Sequence, residues 1–144
     1  MPSRTPASNK PLAKADYEAL AQFRYQLRQF LSFSEKAAVA TGITPRQHQA
    51  LLAIKGFPGR DQVTIGELAE QLAIAHHTAV ELADRLVAQD LVSRSPGSKD
   101  RRTVLLRVTR KGETLLTKLS LAHRAEIQKI GSHLRQLLDG LANS

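Results

Sequence analysis

The sequence predicts a mainly α-helical fold with one small β wing, and three observations carry that prediction. Apolar residues recur at three- and four-residue steps through long segments at both ends of the chain, including Tyr17, Leu20, Phe23, Leu27 and later Leu115, Leu116, Leu119. Two short amphipathic helices meet across a turn of very few residues between Thr64 and Leu86. Two segments of strand composition, Leu91 to Ser95 and Thr103 to Val108, bracket the basic, turn-forming stretch Pro96 to Arg102. Together these make a winged helix-turn-helix with flanking N- and C-terminal helices.

Each element has its own local signal. Residues 1–11 hold three prolines, two serines and no acid, which predicts a flexible arm. A long amphipathic helix begins at Asp16 and runs to the break at Thr41-Gly42. Thr44 can cap a second helix with Pro45 in its first turn, and Phe57 to Asp61 reads as a loop. Thr64-Ile65-Gly66-Glu67 is a capping box ahead of the apolar stripe Ile65, Leu68, Ala69 and Leu72. The pattern restarts after Ile74-Ala75 with Ala79, Leu82, Ala83 and Leu86. Thr109 can cap a final long helix, and Gly131-Ser132 predicts its interruption, with Ser132 capping a short terminal helix.

Composition removes several classes of function. No cysteine is present among the 144 residues, which excludes disulfides, thiolate metal sites and a cysteine nucleophile. Four Phe, two Tyr and no Trp argue against a stacking surface for single-stranded nucleic acid. No run approaches the roughly 18 apolar residues of a membrane span, and the N-terminus lacks a signal peptide's apolar stretch. A cytoplasmic protein without membrane partners is expected. The net charge of +8 is concentrated: residues 1–15 carry three basic residues and no acid, and residues 94–111 carry seven basic residues against Asp100 alone. A nearly neutral body with two basic segments is the electrostatic footprint of a polyanion binder.

On double-stranded DNA, the second helix of a helix-turn-helix enters the major groove, and a basic hairpin reaches phosphates or the adjacent minor groove. The candidates on the second helix are His76, His77, Thr78, Glu81 and Arg85; those on the hairpin are Ser98, Lys99, Asp100, Arg101 and Arg102. The expected organisation is a flexible basic arm over 1–15, a dimerisation helix over 16–43, a DNA-binding lobe over 44–110 and dimerisation helices over 111–144. A homodimer with twofold symmetry would place two recognition helices about 34 Å apart and would read a near-palindromic site.

From residue 16 onward the chain resembles the MarR family of bacterial transcriptional regulators. The stretches that carry the resemblance are Thr44-Pro45-Arg46-Gln47, Ile65-Gly66-Glu67-Leu68-Ala69, Asp84-Arg85-Leu86, Leu91-Val92-Ser93-Arg94, Asp100-Arg101-Arg102 and Thr109-Arg110-Lys111-Gly112. The resemblance implies an obligate homodimer acting as a repressor, released from DNA by a small aromatic or anionic effector. It implies that Asp100 helps to fix the hairpin, that Arg102 enters the minor groove or braces the wing, and that Arg101 and Lys99 meet phosphates. Two positions depart from the family pattern. Glu81 stands where many members carry an arginine, and Ala75 stands where a serine normally caps the recognition helix.

Competing readings have less behind them. The neighbours His76 and His77 point about 100° apart on a helix and cannot clamp one ion from that helix alone, so no metal site is expected. His48 reads as a solvated or core-edge histidine, with contact to an anionic effector as the alternative. Arg24 and Arg28 share one helix face and read as a solvated stripe. The sequence has no glycine-rich phosphate loop and no GxSxG elbow, so neither an enzyme nor a cofactor is expected. The main rival is a winged-helix module that binds protein or structured RNA in a larger assembly, since a fold does not dictate its partner.

Overall fold

The structure, a computed structural model, describes residues 10–97, 99–100 and 102–142. The chain order is α1 (Lys14–Ala40), α2 (Pro45–Lys55), β1 (Gln62–Thr64), α3 (Ile65–Leu72), α4 (His76–Ala88), β2 (Val92–Pro96), β3 (Val104–Val108) and α5 (Arg110–Ala142). Residues 34–122 form one compact unit; those up to Phe33 together with those from His123 form a second.

The winged unit owes its core to one apolar side chain or more from every element. Leu51 and Ile54 of α2, Leu68 of α3, Leu86 of α4, Val63 of β1, Val92 of β2, Leu106 of β3 and Leu119 of α5 are fully buried. Burying a side chain of this size removes it from water at a gain of about 1.5–3 kcal/mol, so the core is the main source of this unit's stability. The three strands form an antiparallel sheet in the order β1-β3-β2, with Val63 and Arg94 both opposite Leu106. Alternation along β3 buries Leu106 and leaves Arg107 exposed.

Capping sets the helix starts as the sequence requires. Thr44 Oγ1 accepts from the Gln47 amide at 3.1 Å, and the Gln47 side chain accepts from the Thr44 amide at 3.0 Å, a reciprocal pair that the reading of Thr44 alone did not include. At α5, Thr109 Oγ1 accepts from Gly112 N at 3.1 Å and donates to the Asp90 carbonyl at 2.6 Å. This threonine therefore ties the start of α5 to the end of the α4–β2 turn.

Two expectations need correction, and one strand carries no local signal. α5 runs unbroken through Gly131 and Ser132. One glycine in a helix interior costs about 1 kcal/mol or less, too little to break a helix whose backbone hydrogen bonds continue on both sides. Strand β1 leaves no mark on the local sequence, because its three residues find their partner in β3, more than forty residues away. His48 is neither solvated nor at the edge: it is 4% exposed within the winged unit.

The second unit is built differently. Its segments of α1 and α5 bring Phe23, Leu27 and Phe30 together with Ile127, Ile130 and Leu134 around an apolar groove of about 280 Å³. His123 packs edge-on against Phe30 and Phe33, with ring centroids 5.8 and 5.3 Å away, and Gln26 Nε2 lies 3.3 Å from His133 Nδ1. None of its described residues is buried. Among the described residues, no helix is long and apolar enough to cross a membrane.

Candidate nucleic-acid interface

The interface candidates sit on a short, firmly defined scaffold. Thr64 Oγ1 accepts from the Glu67 amide at 3.1 Å, and Glu67 Oε1 accepts from the Thr64 amide at 2.9 Å, closing the capping box. Arg60 pairs with the other oxygen of Glu67 and lies over the Phe57 ring, 4.6 Å from its centroid. The Thr64 amide, then the Thr64 hydroxyl and after it the Arg60 guanidinium, hold the Glu67 carboxyl below the usual glutamate range against the opposing effect of its burial. α3 is capped by Ala73, which takes the left-handed conformation at φ 53°. The Ile74 amide reaches back to the Ala69 carbonyl at 3.0 Å, and three residues, Ala73 to Ala75, separate α3 from α4.

α4 starts without a side-chain cap, as Ala75 at its N-cap dictates. Its buried positions, Ala79, Leu82, Ala83 and Leu86, fix the helix to the core. The opposite side presents His76, His77, Glu81 and Arg85 to solvent, with Thr78 half-buried. Facing this helix is a polar cleft of about 510 Å³, lined by Thr44, Arg46 and Gln49 at the start of α2 and by Thr78, Glu81 and Arg85. Arg46 and Gln49 were not among the sequence candidates. The available signal was a basic residue in the first turn after Thr44-Pro45, but nothing local shows that this turn faces α4.

The wing is a tight hairpin of β2 and β3. Gly97 N donates to the Thr103 carbonyl at 2.8 Å, Thr103 N to the Asp100 carbonyl at 3.0 Å, and Arg102 N to Asp100 Oδ1 at 3.0 Å. The Asp100 carboxylate thus folds the loop over itself. Arg102 Nε lies 3.6 Å from the same oxygen, yet its side chain is 95% exposed. Lys99 is also exposed. Ser98 and Arg101 lie outside the described residues.

Charge in this region is less concentrated than the sequence count implies. Arg94 on β2 pairs with Asp84 on α4, and Arg107 on β3 lies 3.3 Å from Asp61, which is itself 3.9 Å from Lys55. Arg94 and Arg107 are therefore compensated by acids from elsewhere in the unit. Among the described residues, no group of three or more His, Asp or Glu side chains is placed to hold a metal ion. The described candidates thus divide into two clusters of one unit, α4 with its cleft and the wing tip.

Residues 41–103 match a family model described as "MarR family". The chain is 28% identical over 120 residues to the HTH-type transcriptional repressor NicR of Pseudomonas putida, a match covering 81% of this chain and 74% of that repressor. The crystal structure of transcriptional regulator Tm0710 from Thermotoga maritima is similar at a TM-score of 0.64, with 30% identity over 90% of this chain and 92% of that one. A MepR mutant from S. aureus bound to oligodeoxyribonucleotide shares the fold at a TM-score of 0.66, with 19% identity over 85% of this chain and 92% of that one.

Proposed function

The chain belongs to the MarR family of transcriptional regulators, and on that premise we propose that it is a sequence-specific, double-stranded DNA-binding homodimeric repressor that works in the cytoplasm. The observation that carries this reading is the pairing of an outward-facing α4, bearing His76, His77, Glu81 and Arg85, with a following hairpin that holds Lys99 and Arg102 in solvent. A helix-turn-helix with that exposure can enter a major groove while the wing reaches the backbone or minor groove beside it. The DNA-bound MepR mutant shows what this fold can hold in a relative. NicR, a repressor, supports the direction of control.

The homodimer is supported by the second unit. Its helices leave Leu27, Leu31 and Ile127 each about half exposed, at 45%, 49% and 50%, and none of its described residues is buried. Helices with so little buried surface need a partner, and a second copy of the same apolar faces supplies one by twofold symmetry. Release by a small aromatic or anionic effector belongs to the proposal on the strength of family resemblance. Such a ligand shifts DNA occupancy only by binding two dimer states with different affinity.

The test is selection of bound sequences from random duplex DNA at about 0.15 M salt, with the mass of the purified protein measured by sedimentation. The reading expects a dimer and an enriched near-palindrome with half-sites about one helical turn apart. Salt-sensitive binding without enrichment would make the protein a nonspecific DNA binder. Failure to bind duplex at all would give first place to the protein- or RNA-interaction module.

A further inference from the structure

Glu81 places a carboxylate on the exposed side of α4, in a cleft that it shares with Arg46 and Arg85. Five other acids of the winged unit, Asp61, Glu67, Asp84, Asp100 and Glu113, each face a lysine or arginine, whereas Glu35, Glu70 and Asp90, like Glu81, form no ion pair among the described residues. Glu81 forms no hydrogen bond or ion pair among the described residues, although Arg85 one turn along and Arg46 on α2 line the same cleft.

We propose that Glu81 is a specificity-determining residue whose carboxylate accepts a hydrogen bond from the N4 amino group of a cytosine, so that each half-site carries a C·G pair where Glu81 meets the major groove. The inference rests on the DNA-binding reading above. An ionised carboxylate only accepts hydrogen bonds and is repelled by phosphates, so inside the groove it is tolerated only opposite a donor. The major groove offers two, cytosine N4 and adenine N6. Adenine N6 lies between two acceptors, its own N7 and the O4 of the paired thymine, which repel a carboxylate from both sides. Cytosine N4 has an acceptor on one side only, the guanine O6. Arg46 and Arg85 flank the cleft and supply the positive charge that offsets the approach of Glu81 to the backbone.

The experiment repeats the duplex selection with wild type, Glu81→Ala and Glu81→Gln, and then measures affinity for the wild-type site with and without its C·G pair. Wild type should enrich C·G at one symmetric position in each half-site and lose about tenfold in affinity when that pair is replaced. Glu81→Ala should lose the preference at that position alone and respond less than about twofold to the same replacement, and Glu81→Gln should shift the position towards adenine, which a glutamine amide bonds in bidentate fashion. Glu81 is exposed, so its substitutions leave the core intact, and equal melting temperatures would check this. Identical sites for wild type and both variants would overturn the role of Glu81 while leaving DNA recognition standing. A wild type that enriches no site would overturn both.

Discussion

Arg94 on the edge strand β2 and Asp84 on α4 form an ion pair that ties the wing to the second helix of the helix-turn-helix. Both side chains are substantially exposed, which limits the pair to about 1 kcal/mol or less of stability. Its importance is directional: among the described residues β2 pairs in the sheet with β3 alone, and this ion pair joins the hairpin to α4. The variant Asp84→Asn separates the two effects by sign. Removing a negative charge from the helix proposed to enter the groove should tighten binding by simple electrostatics, whereas loosening the wing should weaken it. We expect duplex affinity to fall about two- to fivefold. A rise in affinity in a binding titration would show that the pair does not position the wing.

Glu67 joins the capping box to Arg60, and its carboxyl is held below the ordinary glutamate range, first by the Thr64 amide. A group whose pKa is lower folded than unfolded stabilises the fold above its unfolded pKa and loses that contribution as pH falls through the folded value. Glu67→Gln keeps a side chain able to cap but removes the charge. Its cost should therefore be about 1 kcal/mol near pH 7 and should shrink as the pH is lowered below about 4. Urea unfolding of both proteins across that interval checks it; a constant difference would mean that ionisation of Glu67 contributes nothing.

Gly112 in the first turn of α5 is set by close approach. A Cβ there would lie 2.3 Å from the Leu91 carbonyl oxygen and 2.9 Å from Val108 Cγ1. The Leu91 oxygen cannot yield easily, since it accepts from the Thr109 amide at 3.0 Å within the same junction. Gly112→Ala should destabilise the protein by about 1–3 kcal/mol, more than its better helix propensity returns. Gly131→Ala makes the control: open space surrounds that position, so the same substitution should be neutral or slightly stabilising. Melting curves of the two variants that moved alike would refute the packing explanation.

The sequence was legible where the signal is local. The Thr64–Glu67 box, the restart at Ala79, the hairpin around Asp100 and the uncapped start at Ala75 all follow from residues within a few positions of one another. What escaped depends on distant partners. β1 exists because Val63 pairs with Leu106, His48 is buried because several elements close over α2, and Arg46 joins the interface candidates because α2 faces α4. Charge failed in the same way: a count over residues 94–111 cannot show that Asp84 and Asp61 come back to compensate Arg94 and Arg107. Gly112 stood in a family-like stretch of sequence, but the contact with Leu91 that requires it appears only in three dimensions.

Arg102 is the most direct test of the wing. The loop is folded by its backbone amide bonding Asp100, while its guanidinium stays almost wholly in solvent with only a 3.6 Å approach to that carboxylate. Bracing is thus done by the backbone and Asp100, which leaves the Arg102 side chain available to DNA. Arg102→Ala keeps the backbone amide and should leave the melting temperature and the sedimentation mass unchanged. Its affinity for the selected site should drop by about tenfold or more, within the range of about 1–3 kcal/mol for one arginine contact. A phosphate contact would also lower the slope of log affinity against log salt by about one, whereas a minor-groove contact would change the enriched bases at the edges of the site. A variant with unchanged affinity would remove the wing tip from the interface and leave α4 as the reading element.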